Sequence, residues 1–217
     1  MKFFQNTCKP QGFGGKLMVR MMNHGHRGLA QWGFSHLALS AVEGRNILDV
    51  GCGGGANVAV WLQNCPGSHV TGLDYSAVSV AEAQKHNRAA IRQGRCRVVQ
   101  GNVADMPFED GAFDCVSAFE TIYFWPDLQQ CFGEVRRVLK RGGRFLICNE
   151  CGGTVAADEK WTKMIEGMRI YPADQIAEDL RKAGFTVEKM ELHSKKHWLC
   201  IIAEKTECGS EENGHGI

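Results

Sequence analysis

The chain has 217 residues, 44% apolar and 23% charged, with a formal net charge of +1 and a pI near 7.6. That length suffices for one substantial domain, and the composition is ordinary for a soluble globular chain. A near-neutral chain without a Lys/Arg cluster sets up no basic field for nucleic acid, and no apolar run approaches membrane-spanning length; the expected partner is a small-molecule substrate, with no nucleic acid, no membrane, and a monomer or homodimer.

Residues 1 to 16 include Lys9-Pro-Gln-Gly-Phe-Gly-Gly15, glycine-rich without a period, which reads as an irregular arm. The N-terminus lacks the apolar core of a signal peptide, and ten cysteines without an evident disulfide plan predict a reducing, cytoplasmic setting. Apolar residues then recur at helical spacing from Leu17 to Met22 and from Leu29 to Val42, giving two helices. Asn23-His24-Gly-His26 sits at the break between them.

The stretch Asn46-Ile-Leu-Asp-Val-Gly-Cys-Gly-Gly-Gly-Ala56 organises the rest of the chain. Ile47, Leu48 and Val50 read as a short buried strand, the glycines as a turn approached closely by a ligand, and Val58 to Leu62 as a helix whose N–H groups face that turn. Such a unit cradles a nucleotide, and Gly51-x-Gly53-x-x-Ala56 fits the dinucleotide fingerprint. Val70 to Asp74 is a second strand ending in an acid, about 20 residues on, where a carboxylate can accept from ribose hydroxyls. Ser76 to Ile91 reads as one helix, Cys96 to Gln100 and Phe113 to Phe119 as strands, and Asp127 to Leu139 as a helix ended by Lys140-Arg-Gly-Gly143 with a left-handed glycine cap. Arg144 to Cys148 is the fifth strand. A helical patch from Asp158 to Met168, a helix from Ile176 to Ala183 and an antiparallel hairpin of Phe185–Leu192 with Lys196–Ala203 complete the chain.

Strands alternating with helices predict an α/β fold with a mostly parallel sheet, helices on both faces and the ligand at the strand carboxyl ends. Asp49, Asp74, Asn102, Glu120 and Glu150 fall on that rim. Trp32, Phe119, Tyr123, Phe124, Trp125 and Trp161 lie in segments that border it, which suits an acceptor with an apolar body.

The glycine motif with its acid, Leu73-Asp-Tyr-Ser76, the segment Gly101 to Phe108 with Phe113-Asp114, and Val138-Leu-Lys-Arg-Gly-Gly-Arg-Phe-Leu-Ile147 together resemble the class I S-adenosylmethionine-dependent methyltransferases of small-molecule type. The resemblance spans residues 44 to 150. It implies a Rossmann-like seven-stranded sheet with an antiparallel last strand and a helical lid, divided as arm and lid (1–43) and methyltransferase domain (44–205); the polar residues after Thr206 read as a disordered tail (206–217). It implies S-adenosyl-L-methionine as cofactor, held by Asp49, Gly51, Gly53, Asp74, Tyr75, Asn102, Val103 and Phe119. Asp49 would face the donor's ammonium, Asp74 the ribose diol and Tyr75 the adenine face. The adenine-facing position carries Asn102 where relatives have Asp, and Arg141 stands where Pro is usual. His24 or His26 is the expected base or substrate orienter, with Glu120 and Tyr123 in the acceptor pocket of an O-, N- or S-methyltransferase. No metal is expected; Cys148-Asn-Glu-Cys151 lacks a second ligand pair. An NAD(P)-dependent oxidoreductase and a non-catalytic cofactor-binding regulator remain open alternatives.

Overall fold

A computed structural model describes residues 27–153 and 159–206. The arm, the first expected lid helix, His24, His26 and the tail from residue 207 lie outside them. The sheet has seven strands: β1 (Asn46–Val50), β2 (His69–Asp74), β3 (Cys96–Gln100), β4 (Phe113–Phe119), β5 (Leu139–Asn149), β6 (Phe185–Leu192) and β7 (Leu199–Lys205), in the order β3-β2-β1-β4-β5-β7-β6. β7 runs antiparallel to both β5 and β6, while β1 to β5 are mutually parallel. The expected mixed sheet is present, with β7 inserted between β5 and the edge strand β6. The chain winds from β1 out to β3 and then crosses to β4, so strand order reverses between β1 and β4. That reversal point is where open α/β sheets hold ligands.

Helices cover both faces: α1 (Arg27–Ser35), α2 (Ala56–Asn64), α3 (Ala77–His86), α4 (Arg88–Arg92), α5 (Leu128–Val138), α6 (Glu159–Met164) and α7 (Ala173–Lys182). Strand side chains alternate between the two faces. Leu48, Val50, Val116 and Phe145 join Phe132, Val135, Ile176 and Leu180 of α5 and α7 in one core, while Ile47, Cys115 and Leu146 join Leu29, Phe34 and Trp61 of α1 and α2 in the other.

Local structure departs from expectation at four places. The helix expected over Leu29–Val42 covers Arg27–Ser35 among the described residues and gives way to a short 3₁₀ turn at Leu39–Ala41. The single helix expected over Ser76–Ile91 breaks at Asn87, whose Nδ2 donates to Gly55 O at 3.0 Å and Ala83 O at 3.1 Å; tying the glycine turn to α3 outweighs continuing the helix. Lys140-Arg-Gly-Gly143 does not cap a helix. Leu139 is already extended and pairs with Phe113, and Gly142 at φ +69° takes up a register jump before Cys115 pairs with Arg144, so these residues belong to β5. β7 begins at Leu199 rather than Lys196, because the turn before it closes through His193 N–H to Trp198 O with His197 at φ +57°.

Candidate functional site

The glycine turn follows β1 and is sewn to the end of β2. Gly51 N–H and Cys52 N–H both donate to Leu73 O, and Gly53 N–H donates to Asp74 Oδ2 at 2.9 Å. Gly51 (φ +69°) and Gly53 (φ +52°) occupy the left-handed region, and a Cβ on Gly51 would collide with the Thr121 side chain. A Cβ on Gly53 would meet nothing, because that position faces open space. Backbone thus forms one wall of a cleft of about 720 Å³ at the carboxyl ends of the strands. The volume falls within the ordinary range for small-molecule sites.

Of the expected residues, Gly51, Gly53, Asp74, Tyr75, Asn102, Val103, Phe119 and Glu120 line this cleft together. Phe124 and Trp125 join them, and Arg27 and Ala30 bring α1 to its edge. Asp74 is 6% exposed, and its Oδ1 accepts from Ser76 N–H at 2.8 Å. Burial raises its pKa, opposed by the donors of Ser76, Gly53 and Ser79. Asn102 turns Oδ1 back onto Ala104 N–H at 3.0 Å, closing a local turn at the end of β3.

Two expected residues stand behind the wall rather than in it. Asp49 is 1% exposed, lies beneath the glycine turn and does not line the cleft; its Oδ1 accepts from Ser117 Oγ at 2.7 Å. Burial, with the nearby Asp74 charge, pushes its carboxyl up to about 7 against the Ser117 hydrogen bond. Tyr123 is 2% exposed and also does not line the cleft. Its hydroxyl donates to Glu120 Oε1 at 3.1 Å and accepts from Cys151 N–H at 2.9 Å. Glu120 Oε1 also accepts from Glu150 N–H, and the residue sits at φ +58°, a strained conformation for a side chain other than glycine. Burial and the Glu120 charge drive the Tyr123 phenol well above its usual pKa, keeping it a donor. Trp32 and Trp161 are not in the cleft lining; Trp32 packs with His36, His193 and Trp198 beyond it.

A family model for a methyltransferase domain matches residues 48–147, the segment that contains the glycine turn, Asp74, Asn102 and Glu120. The chain is 43% identical over 161 residues to 24-methylenesterol C-methyltransferase 2 of Oryza sativa subsp. japonica, covering 70% of this chain and 44% of that protein. It is 31% identical over 172 residues to the O-methyltransferase resE of Aspergillus sclerotiorum, covering 77% of this chain and 65% of that protein. Over residues 48–147 the chain carries a methyltransferase domain of the class I S-adenosylmethionine-dependent type. It spans roughly half to two thirds of the length of these curated relatives. The methyltransferase fold is shared with geranyl diphosphate C-methyltransferase from Streptomyces coelicolor A3(2), solved with Mg²⁺, geranyl diphosphate and S-adenosyl-L-homocysteine, at TM-score 0.75 and 17% identity over 91% of this chain and 86% of that one.

The site holds groups that sequence reading missed. Arg137 on α5 donates to Phe108 O at 2.7 Å and Met106 O at 3.0 Å, and its partner Glu134 accepts from Met106 N–H at 2.9 Å, so one ion pair pins the loop that carries Asn102 and Val103. Periodicity marks both residues only as the polar face of a helix. Ser117, which bonds Asp49, and Trp61, which bonds Ser117, read as core positions. Among the described residues no cluster of His, Cys, Asp or Glu is arranged to hold a metal, and no helix is long and apolar enough to cross a membrane.

Proposed function

We propose that the chain transfers a methyl group from S-adenosyl-L-methionine to a small molecule with an apolar body. The observation that carries this is the cleft at the β1/β4 reversal, where a glycine turn, a buried acid at the end of β2 and an acid at the end of β4 share one lining. The residues fit the donor: Gly53 leaves open space beside the turn, and Asp74 presents a carboxylate already fixed by Gly53 and Ser76. When bound, the donor supplies an electrophilic methyl on a sulfonium, so the protein's main task is alignment and exclusion of water, worth up to about 7–11 kcal/mol in favourable systems.

In this reading Gly51 and Gly53 bring backbone to the methionyl and ribose parts, Asp74 accepts from the ribose diol and Asp49 serves the ammonium. Tyr75 lies against adenine, Asn102 and Val103 meet its edge, and Phe119 closes the wall. Glu120 takes the proton that the acceptor loses, and Tyr123 and the Glu150 N–H are the positioning groups that hold its carboxylate. His24 and His26 stay candidates for the same task. The relatives' names speak of sterol carbon and of oxygen as methyl acceptors, and the aromatic faces of Phe119, Phe124 and Trp125 suit such an apolar body, extending the expected acceptor atoms to carbon. Residues 1–43 act as the lid of a domain over 44–205, supported by Arg27 and Ala30 at the cleft edge. Eight buried free cysteines among the described residues fit a reducing, cytoplasmic setting, and the near-neutral charge fits a monomer or homodimer that binds neither nucleic acid nor membrane.

The test is turnover with an acceptor panel and methyl-labelled donor, read by mass spectrometry. Label should appear in an apolar acceptor, and Glu120→Gln should lower the rate by about 10²–10⁴-fold with donor affinity unchanged. Donor binding without transfer to any acceptor would reduce the chain to a cofactor-binding protein. A wild-type rate in the Gln variant would remove Glu120.

A further inference from the structure

Beneath the glycine turn a polar relay crosses three elements. The indole Nε1–H of Trp61 on α2 donates to Ser117 Oγ on β4 at 2.9 Å, and Ser117 Oγ donates to Asp49 Oδ1 on β1 at 2.7 Å. The indole fixes the direction of the first bond, and the serine proton points to Asp49 in the second. An indole nitrogen only donates, so the serine oxygen accepts from it and commits its single proton to Asp49. With Oδ1 accepting from Ser117, a proton on this carboxyl resides on Oδ2. That oxygen is buried and has no hydrogen-bond partner among the described residues. A carboxylate kept only to support the fold would find donors for both oxygens, since a buried unsatisfied acceptor costs about 1–3 kcal/mol.

The charged and titratable groups facing Asp49 are the Asp74 carboxyl from β2, the Cys52 thiol from the glycine turn and the Cys115 thiol from β4. From α2 comes only the neutral indole of Trp61. No cation stands among them. Each group that could carry charge there is an acid, so an ionised Asp49 has nothing to balance it among the described residues, and a ligand with a cationic amine would supply the balance.

We propose that Trp61 and Ser117 are positioning residues that leave Asp49 with one committed oxygen and one proton-bearing oxygen, so that donor binding releases a proton. The Oδ2–H bond breaks, the proton leaves to solvent, and Oδ2 accepts a hydrogen bond from a water that the ligand's ammonium binds. This rests on the reading of the cleft as a donor site. The carboxyl's rise to about 7 agrees with it, because burial and Asp74 favour the neutral acid while the Ser117 bond favours the carboxylate. Below about pH 7 the ligand must displace a proton, so its apparent affinity falls by about tenfold per pH unit; above that value it levels off.

The experiment is titration calorimetry of the full chain with S-adenosylhomocysteine from pH 5.5 to 8, in paired buffers of different ionisation enthalpy. The expected result is close to one proton released per ligand at pH 5.5, nearly none at pH 8, and an affinity that breaks near 7. Asp49→Asn, isosteric with the neutral acid, should remove the release, and Ser117→Ala should move the break to higher pH. Affinity that does not change with pH, or proton release that persists in Asp49→Asn, overturns the proposal; an unmoved break in Ser117→Ala overturns the positioning role. No binding at pH 8 by the folded wild-type chain would instead sink the donor-site reading on which it rests.

Discussion

Three acids share the rim of one sheet, and their surroundings separate their roles. Asp74 accepts two backbone hydrogen bonds, Glu120 is braced by Tyr123 and Glu150, and Asp49 has one oxygen bonded and one bare. The bare oxygen makes Asp49 a liability to the fold. Its pKa is raised to about 7, whereas in the unfolded chain it returns to about 4. Between those values the native state holds a proton that the unfolded state has lost, so stability falls as pH rises through this window and stays low above it. Asp49→Asn removes the titration. Denaturant unfolding of the ligand-free protein should find the Asn variant more stable than wild type at pH 8, by on the order of 4 kcal/mol at most, with the gap shrinking toward pH 5. A gap that is equal at both pH values would mean that Asp49 is ionised throughout.

At the scale of elements, α1 does two things at once. Arg27 and Ala30 reach the cleft, while Leu29 and Phe34 are 0% and 4% exposed and Phe34 packs edge-on against Trp61 with ring centroids 4.7 Å apart. A helix that only covered the site would not bury such residues against α2 and β4. Burial of a large apolar side chain contributes about 1.5–3 kcal/mol, so loss of these two alone removes a large share of a marginal stability. A chain truncated to begin at Ala41 should therefore unfold at lower temperature and expose apolar surface to a fluorescent probe, whereas Arg27→Ala should alter turnover and leave the melting temperature within a degree or two. An unchanged melting temperature in the truncated chain would make α1 a simple cover. The elements themselves were legible in the sequence, since alternating apolar runs and glycine stops are local. The break at Asn87 and the β5 start at Leu139 were not: each is decided by a partner far along the chain, Gly55 in one case and Phe113 in the other.

For the whole molecule, the reversal of strand order between β1 and β4 brings Gly51, Asp74, Asn102 and Glu120 to one cleft from four separate segments. The rim could be read from the sequence because each strand ends in a polar residue just where its apolar run stops. What holds the rim could not, since the Trp61–Ser117–Asp49 relay links residues 56 and 68 positions apart and the Arg137 brace reaches back 29 and 31 positions to Phe108 and Met106. Tyr123 shows the same limit: its neighbour Glu120 marked the site, but the turn after β4 directs the phenol inward to Cys151.

The proposed donor site stands or falls with Asp74 as its main anchor. Titration of the chain with S-adenosylhomocysteine at pH 8, beside Asp74→Ala with its folding checked by circular dichroism, tests it most directly. One site per chain in the wild type and an affinity at least about tenfold weaker in the variant are expected, because the ribose diol loses its acceptor at a cost of about 1–3 kcal/mol. Equal affinity in the two folded proteins, or no binding to either, would contradict the account.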